Sequence, residues 1–374
     1  PTAAPRLLEP AGGERGLTVA ADEGLEQWRL ATSPVTTFPA GRYRLRIEYA
    51  GEVQRVGQGM FVVEYTADGA PARMLATQFQ PGHARKVFPG FDEPAFRARF
   101  DLTVRAPDRH DVVSNMPVSS AHAADGLRAT SFATTPPMPT YLLGIAVGEF
   151  DVLADRQDGV ELRILTARGR REQARYAMEV TKQLLPFFAD YFGQPYMLPK
   201  LDQLAIPGVR GGAMEDWGVI SYNEALLLYD PSRSAPRTKS TVFSIVAHEI
   251  AHQWFGNLVT AAWWDDLWLN EAFATWMAGK ATERFNPDWD LKAQLRSSKE
   301  DAFRRDAGGA TRPMVVPVRT EADAFAVFDE ITYQKGGSVL SMFEQALGLE
   351  QFRDGLRRYI HAHAYSNATA DDLW

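Results

Sequence analysis

The sequence predicts an α+β protein with more than one domain, a β-sheet-rich domain over residues 1–155 followed by a mixed domain over residues 156–374. Short segments that alternate apolar and polar side chains fill the first part, and no helical period appears there. From about Val160 the pattern changes, and long amphipathic stretches with helical spacing follow. A chain of 374 residues is long enough for two or three domains with real cores.

The composition is that of an ordinary soluble globular protein, with 45% hydrophobic and 23% charged residues. A net charge of −7 and the lack of a basic run argue against a nucleic-acid partner. No apolar run approaches the roughly 18 residues that a membrane span needs. The chain has no cysteine, which excludes disulfides and thiolate metal sites. The composition decides neither the oligomeric state nor the compartment. The protein can be cytoplasmic, or it can be periplasmic or secreted.

Both ends of the chain are expected to be incomplete. The chain starts at Pro1 with neither a Met nor a signal peptide, so we expect processing or trimming there. Near the other end, Thr369–Asp372 resembles a helix start, close to a capping box but with Asp in place of Glu. The chain stops one turn later at Trp374, and we therefore expect a missing C-terminal part.

The N-terminal domain is predicted to consist of short strands. Alternating side chains predict strands at Tyr43–Tyr49, Gly59–Tyr65, Phe100–Val104 and Tyr141–Val147. Glycine and proline residues separate these segments. We expect sheet packed on sheet.

The segment Thr77–Pro94 is too irregular to be one strand. A long polar and aromatic loop in a compact domain is often functional. The alternative, for most of its residues, is a structural crossover fixed by Pro89 and Pro94.

The second domain is predicted to contain long helices. Arg170–Tyr191 has apolar residues at helical spacing, and Pro186 is expected to kink or interrupt its last turns. Pro236–Gly256 and Leu267–Phe285 are the next two predicted helices. The other predicted elements of this domain include three strands and a late helix, Glu161–Thr166, Leu201–Ile206, Gly218–Tyr222 and Gln351–His363.

The pattern His-Glu-x-x-His occurs in the second of these helices, at His248, Glu249 and His252. Residues four apart lie on one face of a helix, so both imidazoles can reach one metal ion at about 2.0–2.1 Å. Glu271, on the next helix, is well placed as a third ligand. Three protein ligands leave one position open for water, as in catalytic zinc sites. We predict one zinc ion per chain, with Glu249 handling the proton of a zinc-bound water.

The alternative is an accidental His-Glu-x-x-His on a surface helix. The distance to Glu271 and the aromatic residues between the two helices favour the zinc site. These aromatic residues are Trp254, Phe255, Trp263, Trp264 and Trp268. We predict that the tryptophans among them belong to the core.

Five motifs resemble, in order, those of the M1 family of zinc aminopeptidases, gluzincins related to aminopeptidase N and to the leukotriene-hydrolase branch. They are Gly90–Pro94, Ser114–Pro117, Gly212–Gly218, His248–Glu271 and Tyr333–Gly336. The resemblance covers roughly residues 40–374. It implies a β-sheet N-terminal domain, short here by some tens of residues, and a thermolysin-like zinc peptidase catalytic domain. It also implies that the helical C-terminal domain of the family is lacking here.

The resemblance further implies which residues bind a peptide substrate. Glu215 matches the family glutamate that binds the free α-amino group, and Gln80 matches a second amine-binding side chain. Gly212, Ala213 and Met214 complete the same stretch, where glycine lets an extended peptide approach the backbone closely. A carboxylate near the metal suits a charged ammonium. Without this context, Glu215 would be interpreted as a solvated surface residue.

Tyr333 matches the family tyrosine that donates a hydrogen bond to the oxyanion of the tetrahedral intermediate. The alternative is a half-buried aromatic side chain on a helix. The resemblance therefore implies two catalytic residues, Glu249 and Tyr333.

Two positions depart from the family pattern. The family usually has Asn at the position of Asp216, and Glu at the position of Gln80, although the leukotriene-hydrolase branch has Gln there. Our hypothesis is that Asp216 partly replaces the missing acid and so keeps the charge count. These departures concern substrate preference more than the reaction.

The other histidines show no ligand spacing with carboxylates. We expect all five on the surface or in loops, and they are His83, His110, His122, His361 and His363.

The leading hypothesis from the sequence is a zinc metallo-aminopeptidase whose partners are peptides with a free N-terminus. An endopeptidase of the same chemistry is the first alternative, which an open site without a C-terminal cap would favour. A truncated, non-catalytic binding fragment is the second. The intact residues argue against an evolved loss of catalysis but leave open a loss caused by truncation, and they are His248, Glu249, His252, Glu271 and Tyr333.

Overall fold

A computed structural model describes residues 1–8, 13–22, 27–33, 38, 40–309 and 311–374. Strands dominate as far as Gly148, and long helices follow from Arg175 onward. The predicted α+β class, with a β-rich part followed by a mixed part, is confirmed.

The N-terminal domain is built from short strands. A four-stranded sheet has the order β6-β7-β12-β9, two three-stranded sheets have the orders β10-β11-β8 and β2-β1-β5, and β3 pairs with β4. The bounds are β1 (Arg6–Leu8), β2 (Glu14–Gly16), β3 (Thr18–Asp22), β4 (Gln27–Ala31), β5 (Arg44–Arg46), β6 (Gly59–Ala67), β7 (Ala70–Gln78), β8 (Thr103–Pro107), β9 (Asp111–Ser114), β10 (Val118–Ala124), β11 (Leu127–Phe132) and β12 (Ile145–Gly148).

Asp-Gly pairs form the turns of two β-hairpins in this domain and of a third in the next domain. In each pair both residues have a positive φ, for example 49° at Asp68 and 78° at Gly69 between β6 and β7. Two central residues with positive φ match the right-handed twist of the flanking strands. The other two pairs are Asp125–Gly126 and Asp158–Gly159.

Three predicted strands of this domain differ from their expected bounds. The strand predicted at Tyr43–Tyr49 is only β5, and the one predicted at Phe100–Val104 is shifted to Thr103–Pro107. In the segment Tyr141–Val147, a 3-10 turn covers Thr140–Leu142 and only β12 is extended. The reason is Asn115, whose amide bonds the carbonyl of Leu142 and the N–H of Gly144 in place of a strand partner.

The second domain is organised around a five-stranded sheet of order β13-β14-β15-β17-β16. Its strands are β13 (Phe150–Gln157), β14 (Val160–Ala167), β15 (Lys200–Ile206), β16 (Ala213–Met214) and β17 (Val219–Asn223). The central pairs are parallel, whereas β13 and β16 pair antiparallel at the two edges. The predicted domain boundary at residue 155 falls within β13, and it stays a prediction.

The helices of this domain follow the predicted order. Pro186 lies inside the uninterrupted first helix, and Gly193 ends that helix with φ of 66°. A π-helical turn covers Ile331–Lys335, and a last parallel pair joins β18 (Val259–Ala261) to β19 (Ser366–Ala368). The helices are α1 (Arg175–Phe192), α2 (Pro236–His252), α3 (Trp268–Phe285), α4 (Leu291–Asp306), α5 (Glu321–Ala326), α6 (Gly336–Leu347), α7 (Leu349–His363) and α8 (Ala370–Leu373).

The main core lies where α2 and α3 pack together. The rings of Phe255 and Phe273 stack with centroids 4.1 Å apart, and Trp254 and Trp268 are fully buried. These side chains belong to one large apolar cluster that also includes Trp264. The prediction that the tryptophans are core residues is confirmed for Trp254, Trp264 and Trp268, whereas Trp263 is half-buried and packs against the cluster.

A second core joins the two domains. The four-stranded sheet contributes Phe61 and Met74, and the five-stranded sheet contributes Leu165, Leu204 and Val219. The predicted packing of sheet on sheet is therefore present, but here the second sheet belongs to the catalytic half.

Arg97 fixes the same junction with polar contacts. Its guanidinium donates to the carbonyl of Asn257 and the hydroxyl of Thr260, just after α2, and to the carbonyl of Ser366 in β19. Burial lowers the pKa of Arg97 to about 10, and the group still carries its charge near neutral pH.

Within the described part of the chain, no helix is long and apolar enough to cross a membrane.

Candidate active site

Three predicted metal ligands converge at one point between α2 and α3. His248 Nε2 lies 3.0 Å from His252 Nε2, and each of these nitrogens lies 3.3 Å from Glu271 Oε2. Ligands held about 2.0–2.1 Å from one tetrahedral zinc ion would lie about 3.4 Å from one another. Two imidazoles and one carboxylate at these distances therefore fit a zinc ion.

Hydrogen bonds behind the two imidazoles orient them toward this point. His252 Nδ1 lies 3.0 Å from the carbonyl oxygen of Phe255 and donates its proton there, so Nε2 is the atom directed toward His248 and Glu271. His248 Nδ1 lies 3.5 Å from the Thr275 hydroxyl on α3.

Charge also draws the three groups together. Burial lowers the pKa of His252, but the surrounding carboxylates of Glu215 and Glu271 raise it to about 10. Burial raises the pKa of Glu271, but the imidazoles of His252 and His248 lower it to about 2. The carboxylate ligand is therefore ionised, as a metal ligand must be.

Glu249 lies beside the ligands and is 6% exposed. Ligand atoms of Glu215, Glu249 and His252 form a second group, which shares His252 with the first. Because His252 offers only Nε2, it can bind one ion at most, and the ligand atoms of His248, His252 and Glu271, 3.0–3.3 Å apart, have the spacing that a zinc ion needs. Burial raises the pKa of Glu249 well above its ordinary range, which makes it a strong candidate for a proton carrier.

Glu215 is buried, and its backbone is held by side chains that follow the metal helix. The amides of Gln253 and Asn257 both donate to the Glu215 carbonyl oxygen, at 3.1 and 2.8 Å. On the side-chain face, Gln80 Nε2 donates to Glu215 Oε1 at 3.3 Å. The structure thus brings together Glu215 and Gln80, which the sequence places in different domains.

The stretch before Glu215 forms an edge of the five-stranded sheet. Ala213 and Met214 make up β16, which pairs only with β17 among the described strands. Gly212 is exposed with open space around its α-carbon, so a peptide can approach the backbone there. Met214, by contrast, is 2% exposed and belongs to the main core.

Asp216 is buried, and no described group bonds its Oδ1 atom. Burial and the neighbouring carboxylates of Glu215 and Glu249 raise its pKa well above the ordinary range. A carboxyl with a raised pKa stays uncharged over a wider pH range, and in that form it has one donor and one acceptor, as an Asn amide has. The structure therefore gives no support to the hypothesis that Asp216 supplies a missing negative charge.

Tyr333 reaches the metal ligands from the π-helical turn, with its ring stacked 6.0 Å from that of His248. Burial raises its pKa well above 10, and the carboxylate of Glu271 raises it further, so the phenol keeps its proton. Such turns are rare and often occur at functional sites.

An ion pair fixes this turn. The Asp329 carboxylate accepts from the N–H groups of Ile331 and Thr332 at 3.1 and 3.2 Å, and it binds the Arg312 guanidinium at 2.6 Å. Just after the turn, Gly336 packs so closely on α3 that an added Cβ would lie 2.6 Å from Ala272 Cβ. Ala272 follows Glu271, so this contact places Tyr333 beside a metal ligand.

The loop Thr77–Pro94 contains both a residue of the candidate site and a structural anchor, which are the two interpretations that the sequence left open. Gln80 lies in the site, whereas Asp92 is a structural anchor that accepts from the Arg85 backbone N–H at 2.9 Å and from the Thr140 hydroxyl at 2.6 Å. His83 was expected on the surface or in a loop. It lies in the loop, but it is 1% exposed and paired with Glu321, so the surface interpretation was wrong for this histidine.

Several residues that support the site were missed from the sequence. Tyr141 is buried and its hydroxyl donates to the carbonyl oxygen of Gly256, while the Asn270 amide lies 3.5 Å from the same hydroxyl. Of these residues, Gln253 and Asn257 could most easily have been identified from the sequence, because both are polar residues in an aromatic stretch next to the metal motif.

Comparisons with known proteins agree with this geometry. Residues 176–374 match the peptidase family M1 domain, and residues 14–142 match the peptidase M1 N-terminal domain. Aminopeptidase M1 of Arabidopsis thaliana is 41% identical over 338 residues, which is 90% of this chain and 38% of that protein.

Two further relatives come from distant organisms. A probable aminopeptidase 2 of Sulfurisphaera tokodaii is 41% identical over 88% of this chain and 42% of its own length. Endoplasmic reticulum aminopeptidase 1 of Homo sapiens is 39% identical over 89% of this chain and 36% of its own length. The chain spans about two fifths of the length of these relatives.

Both halves of the chain thus match the two domains of one family, in the family's order, and the match to the catalytic domain alone covers more than half of the residues. The chain belongs to peptidase family M1.

Proposed function

We propose that the protein is a zinc aminopeptidase that removes the N-terminal residue from peptides. The observation that carries this proposal is the contact between Gln80 and Glu215 beside the cluster of His248, His252 and Glu271. A buried carboxylate next to a hydrolytic metal site is suited to hold the ammonium group of a peptide's first residue. The three relatives are all named as aminopeptidases.

We assign one zinc ion per chain to His248, His252 and Glu271. When bound, zinc lowers the pKa of a water molecule to about 7 and polarises a carbonyl group. The fit rests on the donor set and on the distances of 3.0–3.3 Å between the three ligand atoms.

The remaining residues of the site then have distinct tasks. Glu215 and Gln80 bind the α-amino group of the substrate, which fixes the scissile bond one residue away. Gly212 and Ala213 present the open edge of a sheet to an extended peptide. Glu249 accepts a proton from the attacking water and returns it to the leaving amine. Tyr333 donates its hydroxyl hydrogen to the oxyanion.

The experiment that tests this assignment compares two chromogenic substrates on the zinc-loaded chain. One is an aminoacyl anilide, and the other is the same compound with an acetylated amino group. An aminopeptidase cleaves only the first, because the acetyl group removes the ammonium that Glu215 binds. Cleavage of both would indicate an endopeptidase, and cleavage of neither, with zinc bound, would indicate a non-catalytic fragment.

A further inference from the structure

The turn that carries Gln80 is tied to a distant part of the chain by His83. The His83 N–H donates to the carbonyl oxygen of Phe79 at 2.7 Å, which closes the turn around Gln80. The His83 side chain is buried, and its Nε2 atom lies 2.5 Å from Oε1 of Glu321, a residue 238 positions later.

The protonation of this pair follows from its surroundings. Burial lowers the pKa of His83, so the imidazole is neutral near pH 7. Its Nδ1 atom is buried and no described group bonds it. A proton on Nδ1 would be a buried donor without an acceptor, so the proton lies on Nε2 and is donated to the Glu321 carboxylate.

Glu321 begins α5, a short helix with a capping box formed by Thr320 and Asp323. The ring of Phe325, in the same helix, lies 5.5 Å from the imidazole of His83. A few residues later the chain enters the π-helical turn of Tyr333. The His83–Glu321 bond therefore joins the turn of Gln80 to the segment that supplies Tyr333.

We propose that the hydrogen bond between His83 and Glu321, which we call the latch, holds Gln80 against Glu215. His83 is then a positioning residue for recognition of the substrate's α-amino group. This inference rests on the proposed aminopeptidase function. The Gln80–Glu215 bond is 3.3 Å long, close to the limit for a hydrogen bond, so a small shift of the turn breaks it. His83 lies three residues from Gln80, and its buried contact with Glu321 ties the turn to a residue outside it.

The test uses two zinc-binding inhibitors that differ only in the amino group, an aminoacyl hydroxamate and its des-amino counterpart. Their affinities for the zinc-loaded chain are measured by calorimetry. We expect His83→Ala and Glu321→Ala to weaken binding of the amino compound roughly tenfold, the usual effect of one lost hydrogen bond to a charged group, and to leave the des-amino compound unchanged.

Two further variants separate the hydrogen bond from charge and from packing. Glu321→Gln keeps an acceptor for the neutral imidazole, so we expect it to retain the preference for the amino compound. Lys86→Met is the matched control, since Lys86 Nζ contacts the same carboxylate at 3.6 Å without touching His83. The Glu321 side chain is 35% exposed, so its variants can be studied even if His83→Ala does not fold.

A double-mutant cycle decides whether His83 acts through Gln80. In a Gln80→Ala background, we expect His83→Ala to cause no further loss of affinity for the amino compound. The proposal would be overturned if His83→Ala lowered the affinity for both inhibitors equally, or if its effect on the amino compound were undiminished in the Gln80→Ala background. An unsubstituted chain with no preference for the amino compound would instead overturn the proposed function on which the latch depends.

Discussion

Gln80 Nε2 lies 3.3 Å from Glu215 Oε1, although 135 residues separate the two in sequence and they belong to different domains. The proposed amine site therefore lies across the junction, where the four-stranded and five-stranded sheets share a core. The groups that we assign to hydrolysis, in contrast, all come from α2, α3 and the π-helical turn. On this proposal, the residues that bind the amino group and the residues that cleave the peptide bond come from different parts of the fold.

Replacement of Glu249 by Gln is expected to lower turnover by at least about 10²–10⁴-fold, because the amide cannot carry the proton. The zinc content should stay at one ion, since Glu249 is not among the three closest ligand atoms. Steady-state rates and metal analysis on the same sample check both statements. Glu271→Gln serves as the control that loses metal, and unchanged turnover in Glu249→Gln would refute the role of the proton carrier.

Replacement of Tyr333 by Phe is expected to lower kcat by about 10²–10³-fold with little effect on KM, because one donor to the oxyanion is lost. The phenol keeps its proton over the working pH range, since burial raises its pKa well above 10. We therefore expect no loss of activity on the alkaline side that depends on Tyr333. A Phe variant with wild-type kcat would show that the ring only packs against His248.

Replacement of Asp216 by Asn is expected to change KM for an aminoacyl substrate by less than about twofold. Burial and two neighbouring carboxylates raise the pKa of Asp216, so below that raised pKa the carboxyl is uncharged and resembles the amide. Glu215→Gln, which removes the charge that binds the ammonium, provides the contrast and should raise KM strongly. A large rise in KM for Asp216→Asn would restore the hypothesis of a compensating charge.

Replacement of Gly218 by Ala is expected to destabilise the fold by about 2–5 kcal/mol. Gly218 has φ of 79°, and an added Cβ would lie 2.5 Å from the Asn115 carbonyl oxygen and 2.8 Å from Leu198 Cδ1. Chemical denaturation measures the change. Gly279→Ala in α3 is the matched control, because its Cβ meets open space and alanine favours a helix by about 0.5–1 kcal/mol. Equal stability of both variants would contradict the close packing of Gly218.

The metal ligands could be predicted from sequence because their spacing follows from helix geometry. His248 and His252 lie one turn apart whatever surrounds them, and the two helices that carry them and Glu271 were both predicted close to their observed bounds. The Asp-Gly hairpin turns were not predicted, although they are also local signals, since positive φ at both residues is typical of the pair.

The supporting contacts could not be predicted, because they join residues that are distant in sequence. The strand predicted at Tyr141 became a turn because Asn115 competes for its backbone groups. His83 was predicted on the surface or in a loop, and its burial could not be foreseen because nothing near it in sequence indicates Glu321, which lies 238 residues away. Asp216 illustrates a third limit, since its charge depends on burial that only the folded chain reveals.

Arg97 has a consequence for how such proteins can diverge. One guanidinium from the first domain binds Asn257 and Thr260 behind the metal helix and Ser366 near the end of the chain. Exchange of either domain for that of a distant relative must therefore keep the arginine, the Thr260 hydroxyl and the backbone path that presents the carbonyl groups of Asn257 and Ser366. We expect functional chimeras only where this contact is kept.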